Sequence, residues 1–132
     1  MKKKTIRIRE KTIKDFGDQW EIHGDIKKNF WSSNSMFEDH FGKLFNPSNI
    51  KNKTICEIGS GSGRILSMLL SYNPKLVYGV EPSNNGYKKI KKNLNNFKNL
   101  KIINKSGEKF KVSKTFDFIF SIGVLHHIVN PS

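Results

Sequence analysis

The sequence predicts an α/β fold: a doubly wound, mostly parallel sheet preceded by a helical N-terminal extension. Three observations predict it. From residue 53 onward, short apolar runs alternate with segments of helical spacing. The first run is followed by a glycine-rich turn, Gly59-Ser60-Gly61-Ser62-Gly63. The second run ends in an acidic residue, Glu81, about 20 residues beyond that turn, the length of one βα unit.

The elements follow in order. Residues 1–48 are expected to form the helical extension or lid, and residues 49–132 the sheet domain. Residues 1–30 are basic and mixed, with weak periodicity, and Phe16-Gly17-Asp18-Gln19-Trp20 stands out as an aromatic cluster. Ser35-Met36-Phe37-Glu38 reads as a capping box, hydroxyl at the cap and carboxylate three residues on. Phe37, Phe41, Leu44 and Phe45 then share one helical face, with Pro47 past its end. Thr54–Ile58 reads as the first strand, and Ile65, Leu66, Leu69 and Leu70 mark a helix closed by Asn73-Pro74. Leu76–Val80 is the second strand. Tyr87, Ile90, Leu94 and Phe97 mark a helix whose lysines, 88, 89, 91 and 92, form its solvated face. Leu100–Ile103 is the third strand. Phe116–Ile122 is the fourth, nearly all apolar and expected to be buried on both faces. Val124–Val129 reads as the start of another helix.

Composition narrows the function classes. The chain has 132 residues, enough for one small domain. No stretch of about 18 apolar residues is present to span a membrane. The basic Met1–Lys4 start is not followed by an apolar run, so it does not read as a secretory signal. Cys56 is the sole cysteine, which excludes an internal disulfide and fits a cytoplasmic location. The net charge is +13, but only Arg7, Arg9 and Arg64 are arginine. The lysines are scattered, and Asn and Ile are abundant too, so the charge reads as compositional. No specific nucleic-acid partner is expected, because sequence-reading sites favour Arg.

The glycine turn carries the chemistry. In a doubly wound sheet it borders the ligand crevice at the carboxyl ends of the strands. The dinucleotide fingerprint wants glycines at its first, third and sixth positions, but Arg64 stands at the sixth. A phosphate loop wants Gly-Lys-Ser/Thr, which is absent. Glu57, two residues before Gly59, would oppose a pyrophosphate but suits a cationic ligand. Glu81 is placed to accept from ribose hydroxyls. Glu57, the glycines and Glu81 together point to a nucleoside with a cationic part.

These residues resemble class I S-adenosylmethionine-dependent methyltransferases, whose fold is Rossmann-like. Glu57-Ile58-Gly59-Ser60-Gly61-Ser62-Gly63 matches the first family motif and Tyr78-Gly79-Val80-Glu81-Pro82-Ser83 the second. Phe116 to Ile128 resembles the fourth-strand motif, closest to the broad small-molecule branch. The resemblance covers about residues 50–131. It implies S-adenosylmethionine as cofactor, held by Glu57, Gly59, Ser60, Gly61, Gly63, Glu81 and Pro82, with Ser106, Gly107, Glu108 and Ser121 bordering it. Ser106 stands where the family often has Asp. Phe16–Trp20 also resembles a segment of some bacterial members. Trp20, Phe30 and Trp31 are read either as a lid over the cofactor or as core aromatics.

The reaction implied is methyl transfer to a small-molecule acceptor. His127 is the candidate base. His126 is set aside, because consecutive helical side chains point about 100° apart. No metal site is expected. Two alternatives stand beside this reading: a nucleic-acid methyltransferase and a non-catalytic nucleoside-binding domain. Against the first, Ser121-Ile122-Gly123-Val124 replaces the Asn/Asp-Pro-Pro-aromatic motif that goes with exocyclic-amine methylation. The family's sheet has further strands, so the chain is expected to be truncated after the fourth. Its edge would then invite aggregation, and the 132 residues alone would not turn over substrate.

Overall fold

The computed structural model describes residues 2–27 and 33–128. It contains four parallel strands, β1 (Thr54–Ile58), β2 (Leu76–Val80), β3 (Leu100–Ile103) and β4 (Phe118–Phe120), in the order β3-β2-β1-β4. The helices are α1 (Lys2–His23), α2 (Asn34–Phe41), α3 (Arg64–Ser71) and α4 (Asn84–Asn93), with short 3-10 turns at Pro47–Ile50, Gly107–Lys109 and Leu125–His127. The first three strands fall where the apolar runs predict. Order reverses at β1, so the switch point of the sheet is the crevice between the carboxyl ends of β1 and β4.

Strand alternation builds two cores. Ile55 and Val77 face one side of the sheet, where α2, α3 and α4 bury Phe37, Leu66, Met68, Leu69 and Ile90 against them. Leu66 is fully buried, and truncating such a side chain to Ala costs about 2–5 kcal/mol. Cys56, Tyr78 and Val80 face the other side, packed by Phe110 and Phe116. Asp117 fixes the register of β4: its amide donates to the Thr54 carbonyl, and its carboxylate accepts from the Thr54 amide, both at 2.8 Å.

The structure corrects several local expectations. The expected helical N-terminal extension is present as one 22-residue helix over residues 2–23, although the periodicity there is weak. The cap of α2 is Ser33, whose side chain accepts from the Met36 amide, not Ser35. Glu38 instead accepts from the Tyr72 hydroxyl at 2.8 Å. Because α2 ends at Phe41, Leu44 leaves the apolar face and is 93% exposed, while Phe45 still packs on Phe118 and Phe120. Strand β4 is not buried on both faces: it is the sheet edge, and Ile119, beside Cys56 on the thinner side, is 64% exposed. After Val124 the chain forms a 3-10 turn rather than an α-helix within the described residues. Phe30 and Trp31, the other two lid candidates, lie outside the described residues.

Candidate functional site

The glycine turn is tied to the end of β2. The amides of Gly59 and Ser60 both donate to the Val80 carbonyl, at 2.8 and 3.0 Å. The Gly61 amide donates to Glu81 Oε2 at 2.8 Å. The Gly63 amide donates to the Ser60 carbonyl at 2.9 Å. A phosphate cradle needs free amides aimed at the ligand, and these four are engaged within the protein. The turn also takes left-handed backbone, φ +80° at Gly59 and +56° at Gly61. A Cβ at Gly59 would meet Val124 at 2.4 Å, and one at Gly61 would meet the Trp20 ring at 2.9 Å. Only glycine admits both neighbours.

A cavity of about 620 Å³ opens above this turn, within the range of cofactor sites. One wall is Glu57 to Ser62 with Arg64 and Ile65, a second is Glu81 and Pro82, and a third is Ser106 to Glu108. Ile122 to Val124, His127 and Ile128 close a fourth side. Helix α1 forms the roof with Thr5, Arg9, Thr12, Ile13, Phe16 and Trp20. It is latched at both ends. Arg9 pairs with Glu108 at 2.6 Å, and Asn85 on α4 donates to Glu21 at 3.2 Å. Asn93 donates to the carbonyls of Gly24 and Ser62, stitching the turn after α1 to the glycine loop.

The electrostatics favour a cation. Glu57 and Glu81 are 1% and 4% exposed. Burial pushes the Glu57 carboxyl up to about 8, against the lowering effect of the Ser60 hydroxyl; neighbouring Glu81 adds to the rise and Arg64 offsets it. Burial also raises Glu81, opposed by its bonds from Ser83 and the Gly61 amide. Glu81 Oε1 accepts from the Ser83 amide and hydroxyl at 2.9 and 2.6 Å. Among the described residues Glu57 Oε2, by contrast, is buried with no hydrogen-bond partner, as are the hydroxyls of Ser106 and Ser121. Buried polar atoms are nearly always paired, so the two orphans on residues that line the cavity, Glu57 and Ser106, mark where donors and acceptors of a ligand would fit.

Of the residues singled out in sequence, Glu57, Gly59, Ser60, Gly61, Glu81, Pro82, Ser106, Gly107, Glu108 and His127 all line the cavity. Gly63 and Ser121 do not. Gly63 caps α3 and packs against Leu94 and Ile90. His127 meets Phe16 edge-on at 4.7 Å. The two histidine rings lie 3.8 Å apart at the end of the 3-10 turn, closer than the separation expected for consecutive helical side chains. Sequence reasoning missed Thr5, Arg9, Thr12 and Ile13. Their spacing, continued by Phe16 and Trp20, is helical and could have found them, but alternation of polar with apolar residues hides the stripe. Cys56 is 1% exposed, and burial pushes its thiol to about 12, so it is no nucleophile. Among the described residues no group of three His, Cys, Asp or Glu could hold a metal ion, and no helix is long and apolar enough to cross a membrane.

The family model described as "Methyltransferase domain" matches residues 56–132. A tRNA U34 carboxymethyltransferase of Pasteurella multocida is 31% identical over 85 residues, covering 62% of this chain and 26% of its own length. One from Haemophilus influenzae is 30% identical over 113 residues, covering 83% of this chain and 33% of its own. The chain thus spans about a quarter to a third of these relatives. Phosphoethanolamine N-methyltransferase 1 from Haemonchus contortus superposes with a TM-score of 0.65 at 17% identity, over 86% of this chain and 25% of that one, a likeness of fold. These relatives overturn the expectation of a small-molecule acceptor with no specific nucleic-acid partner: they are named for action on tRNA. The missing Asn/Asp-Pro-Pro-aromatic motif speaks only to exocyclic amines, and uracil carries none.

Proposed function

This chain belongs to the methyltransferase domain family, and from that premise we propose that it is the S-adenosylmethionine-binding part of an enzyme that alkylates tRNA. The observation that carries the cofactor is the buried Glu57 Oε2, unpaired among the described residues, in a cavity whose turn amides at Gly59, Ser60, Gly61 and Gly63 are engaged. A carboxylate there is matched to an ammonium and repels a phosphate. The acceptor is proposed from the relatives named for tRNA U34.

Glu57 would hold the cationic amino-acid part, and Glu81 the ribose, since Oε2 keeps one lone pair free beyond the bond from Gly61, while Oε1 takes two from Ser83. Gly59 and Gly61 admit close backbone approach. Pro82, Ser106, Gly107 and Glu108 would border the base, with the Ser106 hydroxyl as a polar contact. S-adenosylmethionine supplies a methyl group on a positively charged sulfur that is already a good leaving group. The protein's own task is then orientation and exclusion of water by the α1 roof. His127, at the cavity wall beside Phe16, is the candidate to take a proton from the acceptor.

The relatives' names favour a second reading of the transferred group, carboxymethyl rather than methyl. One experiment tests both. The whole enzyme of which this chain is the cofactor-binding part is incubated with unmodified tRNA and S-adenosylmethionine, or with a sulfonium bearing carboxymethyl in place of methyl, and the tRNA is digested for nucleoside mass analysis. A modified uridine is expected, its mass telling the two groups apart. Donor binding without any tRNA product would sink the acceptor; no donor binding would sink the cofactor.

A further inference from the structure

Helix α1 has two faces of different chemistry. Thr5, Arg9, Thr12, Ile13, Phe16 and Trp20 turn toward the cavity, and all six are half-buried. Lys3, Lys4, Arg7, Lys11 and Lys14 are all exposed. At about 100° per residue these five fall within about a third of the circumference, on the side away from the cavity. The row runs about 16 Å along the axis. Lys11 and Lys14 pair with Asp15 and Asp18 at 2.6 and 2.7 Å. Lys3, Lys4 and Arg7 make no ion pair among the described residues.

A compositional excess of lysine would scatter around the helix. Here residues 3–14 carry six Lys or Arg side chains against Glu10 alone, and of these six Arg9, held by Glu108, is the one on the cavity face. The arrangement is unfavourable for the helix itself. Residues 3 and 7, 4 and 7, 7 and 11, and 11 and 14 are like charges at spacings that repel. The first turn has lysines and no acidic residue, against the helix dipole. A local rule broken in this way is relieved when a polyanion lies along the row.

We infer that this outer row of α1 is a docking surface for the phosphate backbone of the RNA substrate. The inference rests on the tRNA reading above and adds where the RNA is held. Phosphate contacts position a nucleic acid rather than read its sequence, and this row lies on the helix that roofs the cavity, so a strand bound there lies beside the reacting site. The length of the row matches several phosphates of one strand. An anionic membrane would need an apolar face to insert. The apolar side of α1 is turned inward, the exposed Ile6 and Ile8 stand on opposite flanks of the row, and the exposed Ile22 is a lone apolar side chain about 12 Å beyond its end.

The test is tRNA binding by fluorescence anisotropy across a salt series, on wild type and two triple variants. Lys3→Gln/Lys4→Gln/Arg7→Gln removes the unpaired charges and keeps helix propensity. Lys53→Gln/Lys75→Gln/Lys98→Gln removes equal charge at the amino ends of β1, β2 and β3, opposite the cavity. Circular dichroism and S-adenosylmethionine affinity report folding of each. The α1 triple should weaken tRNA binding roughly tenfold or more and lower the slope of log affinity against log salt by about 2–3, with the other triple within about twofold of wild type. Equal losses in both triples, or tRNA binding unaltered in the α1 triple, would overturn the inference while leaving the tRNA reading. No tRNA binding by wild type would overturn that reading itself. Sedimentation with phosphatidylserine vesicles that depends on the α1 charges, without tRNA binding, would overturn the inference in favour of a lipid surface.

Discussion

The Gly61 amide donates to Glu81 Oε2 at 2.8 Å, so the carboxylate at the end of β2 holds the turn that follows β1. One side chain thus shapes the cavity floor and lines its wall, and its loss should show in both stability and binding. Glu81→Ala leaves the Gly61 and Ser83 donors without their charged acceptor, at an expected cost of about 2–3 kcal/mol. S-adenosylmethionine affinity should fall roughly tenfold or more, a fall of about 1.4 kcal/mol or more. Denaturant unfolding and titration calorimetry measure the two effects. Wild-type values in both would remove Glu81 from the site.

Trp20 and Gly61 should be energetically coupled. Gly61→Ala places a Cβ 2.9 Å from the Trp20 ring on left-handed backbone. The backbone penalty alone is about 1–2 kcal/mol, and the clash adds to it. In a Trp20→Ala background the clash is gone, so the cost of Gly61→Ala should shrink by about 0.5 kcal/mol or more. A double-mutant cycle by chemical denaturation reads this. Strict additivity would mean that α1 does not rest on the turn in solution.

Glu57 sets a pH dependence of stability. Its carboxyl rises from the ordinary 4.5 to about 8 on burial. Between those values the folded chain keeps a proton that the unfolded chain has released. Stability should therefore fall as pH rises from 4.5 to about 8, and level off above. Glu57→Gln should remove this slope, with its advantage over wild type growing across the window. Thermal melts at intervals of pH measure it, and parallel curves for the two proteins would refute it.

Binding of a cation beside Glu57 should draw the carboxyl back toward ionisation. At pH 7 the wild type should release a proton on binding S-adenosylmethionine, and Glu57→Gln should release less. Calorimetry in two buffers of different ionisation enthalpy detects the proton. Equal heats in both buffers would separate Glu57 from the ligand's charge.

His127 should matter to turnover more than to binding. If it takes the acceptor proton, His127→Asn should lower the transfer rate to tRNA by about 10²-fold or more. S-adenosylmethionine affinity should change little, because the cofactor is held elsewhere in the cavity. Single-turnover kinetics checks this; a rate within a small factor of wild type would reduce His127 to a packing partner of Phe16.

Much of the fold was legible because its determinants are local. Thr54–Ile58, Leu76–Val80 and Leu100–Ile103 are short apolar runs closed by turn residues, and each strand lies where its run does. Glu57, Gly59, Ser60, Gly61 and Glu81 could be brought to one cavity from sequence, since strand–turn–helix connectivity puts such residues at the same end of a parallel sheet. Other features depend on partners distant in sequence. Whether Phe116–Ile122 is central or marginal depends on its neighbours across the sheet, and the exposure of Ile119 follows from its edge position and not from its own chemistry. The roof is the clearest case. Thr5, Arg9, Thr12, Ile13, Phe16 and Trp20 face a half-polar crevice, so their stripe lacks the apolar contrast that marks a core helix. Only docking, through Arg9–Glu108 and Trp20 over Gly61, reveals it. The same docking decides which lysines form an outward row, because a scatter of charges along a chain becomes a surface only once a helix has one side turned inward.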